Sequence, residues 1–183
     1  MCIRDRVVAS HGRRVKVTDE NGQTFRCVLR SRIELVTGDR VKWRSTGKKE
    51  GVIEEREPRE SVLARPNDRG QARPIAANLD QVLVVTAPVP AIATPSLDAY
   101  FVAIANLDLD TALVLNKSDL LRDDDQALRS RLAGYSCCGV ATFEVSAQTG
   151  EGLCALRDAL AGKANAFVGP SGVGKSSLLS LIH

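Results

Sequence analysis

The chain has 183 residues, of which 44% are hydrophobic, 26% charged and 4% aromatic, with a formal net charge of +3. That length and apolar content are enough for one or two packed domains, and the longest apolar run, at 82–93, is too short and too broken by Pro88 and Pro90 to span a membrane. Five cysteines (Cys2, Cys27, Cys137, Cys138, Cys154) lack C-x-x-C spacing and His11 and His183 stand far apart, so no zinc site is legible and the thiols read as buried or incidental ones of a reducing compartment.

The charge is unevenly distributed. Residues 1–75 hold 18 Lys and Arg against 11 Asp and Glu, a balance of +7, whereas residues 76–183 hold 7 against 11, a balance of −4. A basic front half joined to an acidic rear half suggests that the front faces nucleic acid. With only Phe25 and Trp43 as aromatics there, phosphate contact should outweigh base stacking.

In chain order, the front half reads as all-β. Residues 13–18 and 23–29 alternate in polarity around Asn21 and Gly22, a hairpin-turn signal. Two further strands, 40–43 and 51–55, flank a basic loop at 44–49. Several short strands in so few residues suit a small Greek-key barrel of the OB type over 7–57. The candidate RNA-contacting residues are Arg13, Arg14, Arg26, Arg30, Arg32, Arg44, Lys48 and Lys49, each of which could equally be a solvated strand-face charge. Residues 58–76, with Pro58, Pro66 and Pro74, read as an extended, stiff linker.

The rear half, 77–183, alternates short apolar strands with helices, as in a parallel sheet covered on both faces. An apolar strand at 79–86 leads to a helix at 96–106, and a second strand at 111–115 ends at Asn116, Lys117, Ser118 and Asp119. This N-K-x-D pattern suits guanine: Asp119 would accept from N1–H and the exocyclic amine, Asn116 would meet the O6/N7 edge, and the Lys117 stem would lie against the ring. Adenine lacks the two donors and would leave the carboxylate unpaired. Asp123, Asp124 and Asp125 read as the acidic start of a helix rather than a metal cluster. A strand at 141–145 then leads to Ser146, Ala147 and Gly150 in an S-A-Q-T-G segment of the kind that closes over guanine, the Ala147 amide donating to O6. A helix patterned on Leu153, Leu156 and Leu160 follows.

The last strand, 165–168, feeds Gly169, Pro170, Ser171, Gly172, Val173, Gly174, Lys175 and Ser176, a complete G-x-x-x-x-G-K-S phosphate loop, with Ser177 opening the helix after it. The glycines let backbone amides turn inward around an anion at a helix N-terminus. Lys175 should reach the β- and γ-phosphates, and the Ser176 hydroxyl should ligate Mg²⁺ accompanying GTP or GDP.

The order N-K-S-D, S-A-Q-T-G, G-P-S-G-V-G-K-S resembles the circularly permuted GTPases. Arg26–Arg30, Gly38–Trp43, Val62–Pro66, Ala77–Val82 and Val114–Leu121 narrow the resemblance to the RsgA/YjeQ (YloQ) family of small-ribosomal-subunit GTPases. The resemblance implies a cytoplasmic, monomeric GTPase acting on late maturation of the small (30S) subunit through its 16S rRNA, stimulated by that subunit, with no membrane partner. Residues 1–6 depart from the family pattern and read as a non-native leader. The switch segments and a Cys/His zinc domain are expected beyond His183, so zinc is expected only there, and the 183-residue chain is expected to be catalytically incompetent, with no catalytic residue assignable beyond phosphate charge stabilisation by Lys175. Losing the strand that carries D-x-x-G is expected to leave a sheet edge unpaired. Two other classes stay open: an ATP-using phosphate-loop enzyme in which the N-K-S-D segment is coincidental, and a non-enzymatic RNA-binding module.

Overall fold

The computed structural model describes residues 3–30, 33–67, 69–91, 93–122 and 125–182. The chain divides into two compact units, Met1–Leu79 and Asp80–His183.

The first unit is built on a closed five-stranded barrel of the OB type, in the order β1-β2-β3-β5-β4 and back to β1. Its strands are β1 (Ile3–His11), β2 (Arg14–Thr18), β3 (Thr24–Leu29), β4 (Arg40–Gly47) and β5 (Glu50–Arg56). The β3–β5 pair is parallel and the others are antiparallel. Period-2 alternation turns Val7, Val15, Val17, Cys27, Val41, Trp43 and Ile53 into one core, and each fully buried aliphatic side chain there contributes roughly 1.5–3 kcal/mol. Trp43 is fully buried, and its ring stacks at a tilt on Phe25 with centroids 4.7 Å apart. Gly51 is what makes room for it, because a β-carbon there would lie 2.2 Å from Trp43 Cε3.

Three sequence expectations change in this unit. Residues 3–6 are barrel: Ile3, Arg4, Asp5 and Arg6 pair with Trp43, Lys42, Val41 and Arg40. Asp5 breaks the apolar alternation of β1, yet its carboxylate accepts from Trp43 Nε1 at 2.8 Å, and burial raises its pKa despite that bond. The expected basic loop at 44–49 is mostly strand, since the ladder continues through Ser45 opposite Gly51 and Gly47 opposite Glu50, leaving Lys48 and Lys49 as the turn. The expected linker folds into a hairpin, β6 (Val62–Pro66) with β7 (Ala72–Ala77). A two-stranded ribbon has only edge strands, so its prolines need no ladder donor on their outer sides. Asn67 shapes its turn by accepting from the amides of Arg69 and Gln71, both at 2.9 Å.

A buried polar node fastens this hairpin to the barrel. Asp39, fully buried, accepts from the Val36 amide (2.8 Å) and from Arg59 Nε (2.7 Å) and Nη2 (2.9 Å). The hydrogen bond to Asp39 raises the pKa of Arg59 further. Asn78 donates to the Gly38 carbonyl (3.0 Å) and accepts from the Glu60 amide (2.8 Å). With these partners the node avoids the cost of an unpaired buried charge.

The second unit is a four-stranded, all-parallel sheet in the order β10-β9-β8-β11. Its elements alternate: β8 (Gln81–Thr86), α1 (Thr94–Ala105), β9 (Asp110–Leu115), α2 (Gln126–Cys137), β10 (Ala141–Glu144), α3 (Leu153–Leu160), β11 (Asn165–Val168) and α4 (Lys175–Ile182). Every residue of β8 is buried, as a strand covered on both faces requires. On one face Leu83, Val85, Ala112 and Val114 pack with Leu153, Leu156 and Leu160 of α3 and Leu178 of α4. Because all four strands run the same way, the loops after β8, β9, β10 and β11 gather at one edge of the sheet, where open parallel sheets hold ligands. Asp125 directly precedes α2, while Asp123 and Asp124 lie outside the described residues. No helix among the described residues is long and apolar enough to cross a membrane.

Candidate nucleotide site

The N-K-S-D segment begins where β9 ends, and its backbone turns sharply: Lys117 has a left-handed φ of 61°, after which residues 118–120 form a single 3₁₀ turn. The Ser118 amide donates to the Val145 carbonyl (3.1 Å), fastening the turn to the end of β10. The S-A-Q-T-G segment follows β10, and Ser146, fully buried, organises it. Its hydroxyl accepts from the amides of Gln148 (3.2 Å) and Thr149 (3.1 Å) and donates to Asp119 Oδ1 at 2.5 Å. One serine therefore both caps the turn before α3 and aims the carboxylate of the neighbouring loop.

Asn116 joins all three motifs. Only 1% exposed, it donates from Nδ2 to the Val173 carbonyl of the phosphate loop (2.8 Å) and accepts at Oδ1 from the Ala147 amide (3.1 Å). These contacts use one of the two Nδ2 hydrogens and one of the two Oδ1 lone pairs of the amide. Gly174 is the counterpart of this tie: its φ is +88°, and a β-carbon there would lie 2.3 Å from Asn116 Nδ2. The close approach of Asn116 to the phosphate loop thus depends on glycine at 174.

The phosphate loop connects β11 to α4 as the sequence indicates. Val173 is fully buried and pins the loop to the core, and the Leu178 amide closes the first helical turn on the Gly174 carbonyl (3.0 Å). Lys175 Nζ donates to the carbonyls of Gly169 (2.9 Å) and Pro170 (2.6 Å), so its ammonium hangs over the loop it belongs to. Ser171, Gly172, Ser176 and Ser177 are exposed around the loop, and Pro170 is half-buried. At the N-K-S-D end, Lys117 Nζ donates to the Val89 carbonyl (2.7 Å), and the exposed Asp119 lines a cleft of about 530 Å³ with Pro88, Val89, Leu121, Arg122 and Asp125. Among the described residues no cluster of three or more His, Cys, Asp or Glu is arranged to hold a metal ion.

The barrel cations sort into two groups. On the β4–β5 flank they are paired: Arg40 with Glu60 (2.6 Å), Lys42 with Glu55 (2.8 Å), Arg44 with Glu54 (3.3 Å) and Arg4 with Glu57 (3.2 Å). The Lys42 ammonium correspondingly holds the Glu55 carboxyl below its ordinary range. On the β2–β3 flank, Arg14, Arg26, Lys48 and Lys49 line adjoining depressions with Lys16, all exposed and without an ion pair among the described residues. Lys16 escaped the sequence reading although its position two residues after Arg14 on an alternating strand marks it as outward. Arg13 and Arg30 are exposed beyond the strand ends, and Arg32 lies outside the described residues.

A model described as RsgA GTPase matches residues 56–183. The chain belongs to the RsgA GTPase family. It is 46% identical over 179 residues to the small ribosomal subunit biogenesis GTPase RsgA of Chromohalobacter salexigens, covering 95% of this chain and 53% of that protein. The protein of the same name from Azotobacter vinelandii is 44% identical over 180 residues, covering 95% and 52%. Among solved structures, YjeQ from Thermotoga maritima aligns with a TM-score of 0.83 at 34% identity over 100% of this chain and 66% of that one. YloQ, described as a circularly permuted GTPase, aligns with a TM-score of 0.77 at 27% identity, covering 98% and 63%. The reversed motif order of this chain accords with the description of YloQ as circularly permuted. The chain spans about half the length of these RsgA relatives.

Proposed function

We propose that this chain supplies the guanine-nucleotide-binding machinery and an RNA-facing barrel of a cytoplasmic GTP-hydrolysing factor for maturation of the small ribosomal subunit. The observation that carries the reading is the Asn116 tie, which holds the phosphate loop and the S-A-Q-T-G loop to the N-K-S-D segment in one hydrogen-bonded unit. The names of the relatives support the ribosomal assignment.

In this reading Asp119, aimed by Ser146, accepts from guanine N1–H and its exocyclic amine. The aliphatic stem of Lys117 packs on the ring. Asn116 positions the loops and turns its remaining amide N–H to the O6/N7 edge of the base. The amides of 171–176 and the start of α4 take the phosphates, and Lys175 exchanges its two loop carbonyls for phosphate oxygens. Pre-set loops lower the ordering cost of binding. The Ser176 hydroxyl, exposed on the first turn of α4, is the hard oxygen donor that Mg²⁺ takes beside phosphate oxygens, and the ion would neutralise phosphate charge. The hydrolytic step and its stimulation by the subunit are proposed for the protein as a whole. For 16S rRNA, the observation that favours contact is the unpaired basic flank of Arg14, Lys16, Arg26, Lys48 and Lys49.

Displacement of a fluorescent GDP by unlabelled GDP and ADP tests the nucleotide assignment. GDP should compete at concentrations at least about a hundredfold lower, because ADP leaves Asp119 unpaired. Equal displacement would overturn it in favour of a general phosphate-loop enzyme.

A further inference from the structure

Between β8 and α1 the backbone passes through Ala87, Pro88, Val89, Pro90 and Ala91, a segment outside all three motifs. It nevertheless touches both ends of the site. At the guanine end its Val89 carbonyl accepts from the Lys117 ammonium at 2.7 Å. At the phosphate end its Pro90 ring lies against the loop, where a β-carbon built on Gly172 would stand 3.4 Å from Pro90 Cγ and 3.5 Å from Cδ. Ala87 is buried while Val89 is 60% exposed, so the segment is rooted in the sheet and projects at its tip. Two prolines fix φ at alternate positions and leave the backbone few torsions with which to relax.

We propose that residues 87–91 form a strap that positions Lys117 through the Val89 carbonyl and braces the phosphate loop through Pro90, so that one element sets both ends of the nucleotide site. The proposal rests on the guanine-nucleotide reading above. A carbonyl acceptor holds the ammonium without neutralising it. The aliphatic stem of Lys117 is then already directed when a base packs on it, which removes part of the rotamer entropy that binding would otherwise cost. Pro88 and Val89 also line the cleft that Asp119 faces, which places the strap beside the group that would discriminate the base.

Two measurements on the 183-residue chain test this. Lys117→Met keeps the stem and removes the ammonium. In the nucleotide-free protein it should lower the backbone order parameters of Val89 and Ala91 from about 0.85 to below about 0.6, while β8 stays rigid. Unchanged values at both residues would overturn the strap. In GDP binding, Pro90→Ala should weaken affinity about fivefold and Lys117→Met about tenfold. The double variant should fall well short of the roughly fiftyfold product, because either change releases the same element. Losses that simply multiply would also overturn it. If the unsubstituted chain fails to prefer GDP over ADP, the proposed function falls, and the order parameters alone decide the strap.

Discussion

In the barrel unit the buried polar side chains Asp39 and Asn78 hold pieces of scaffold to each other, hairpin to barrel. In the second unit Asn116 and Ser146 hold loops to each other at the ends of the strands. Both pairs are satisfied by hydrogen bonds, as burial demands. What differs is the neighbourhood: Asp39 and Asn78 bind backbone groups and the largely buried Arg59 guanidinium, whereas Asn116 and Ser146 lead directly to Asp119, Ala147 and Val173. A buried polar residue therefore reads as architecture or as preorganisation according to what its partners carry. The comparison implies that losing the first kind should cost stability, and losing the second kind should cost binding beyond its cost in stability.

The largest expected effect breaks the scaffold side. Asp39→Ala leaves the Arg59 guanidinium and the Val36 amide buried without their acceptor and should destabilise the barrel unit by about 3–5 kcal/mol in urea unfolding followed by Trp43 fluorescence. A loss below about 1 kcal/mol would mean the node is ornamental to the fold.

Next comes the binding side. Asn116→Ala strands the Val173 carbonyl and the Ala147 amide and should cost about 2–4 kcal/mol in stability of the second unit, with GDP affinity reduced at least tenfold under conditions where the unit remains folded. Gly174→Ala should produce the same binding defect, since its β-carbon would displace the Asn116 amide. Binding that survives either change would erase the distinction between the two units.

A smaller effect sharpens a second contrast, between the two flanks of the barrel. Lys48→Glu with Lys49→Glu should weaken RNA binding by about tenfold and flatten its salt dependence, read by fluorescence anisotropy at several salt concentrations. Charge reversal at the paired Arg44 should change RNA binding by no more than about twofold, because that cation already faces Glu54.

The smallest effect is a pH dependence. Burial pushes the Cys27 thiol up to about 11, so the folded barrel keeps its proton longer than an unfolded chain does. The stability this contributes is present below about pH 8.5 and is lost as pH rises toward 11. A thiol reagent at pH 8 should therefore modify the exposed Cys137, Cys138 and Cys154 and reach Cys27 only on unfolding, as peptide mass mapping would show.

Much of the second unit was legible because its signals are local. The apolar runs at 81–86 and 110–115 and the three motifs after β9, β10 and β11 each declare themselves within a dozen residues. The barrel strands at 14–18 and 24–29 were legible for the same reason, through alternation around Gly22. The tie from Asn116 to Val173 was not legible because that partner is 57 residues away, and a motif letter does not reveal which way an amide points. Residues 1–6 read as a leader, and nothing local shows that Asp5 is satisfied by Trp43, which lies 38 residues on. The β6–β7 hairpin was hidden by prolines, which forbid an interior strand and permit an edge one. Strands β4 and β5 outran their expected ends because pairing, rather than side-chain pattern, carries the ladder through Ser45 to Gly47.

Asp119, held by Ser146 within loops tied by Asn116, is proposed to read the guanine edge. Xanthine carries a carbonyl where guanine carries its exocyclic amine, so an amide at 119 can donate where the carboxylate accepts. Competition by GDP and xanthosine diphosphate against a fluorescent nucleotide, on the chain and on its Asp119→Asn variant, tests this directly. The variant is expected to lose GDP by at least about a hundredfold and to gain xanthosine diphosphate. An unchanged preference for GDP would contradict it.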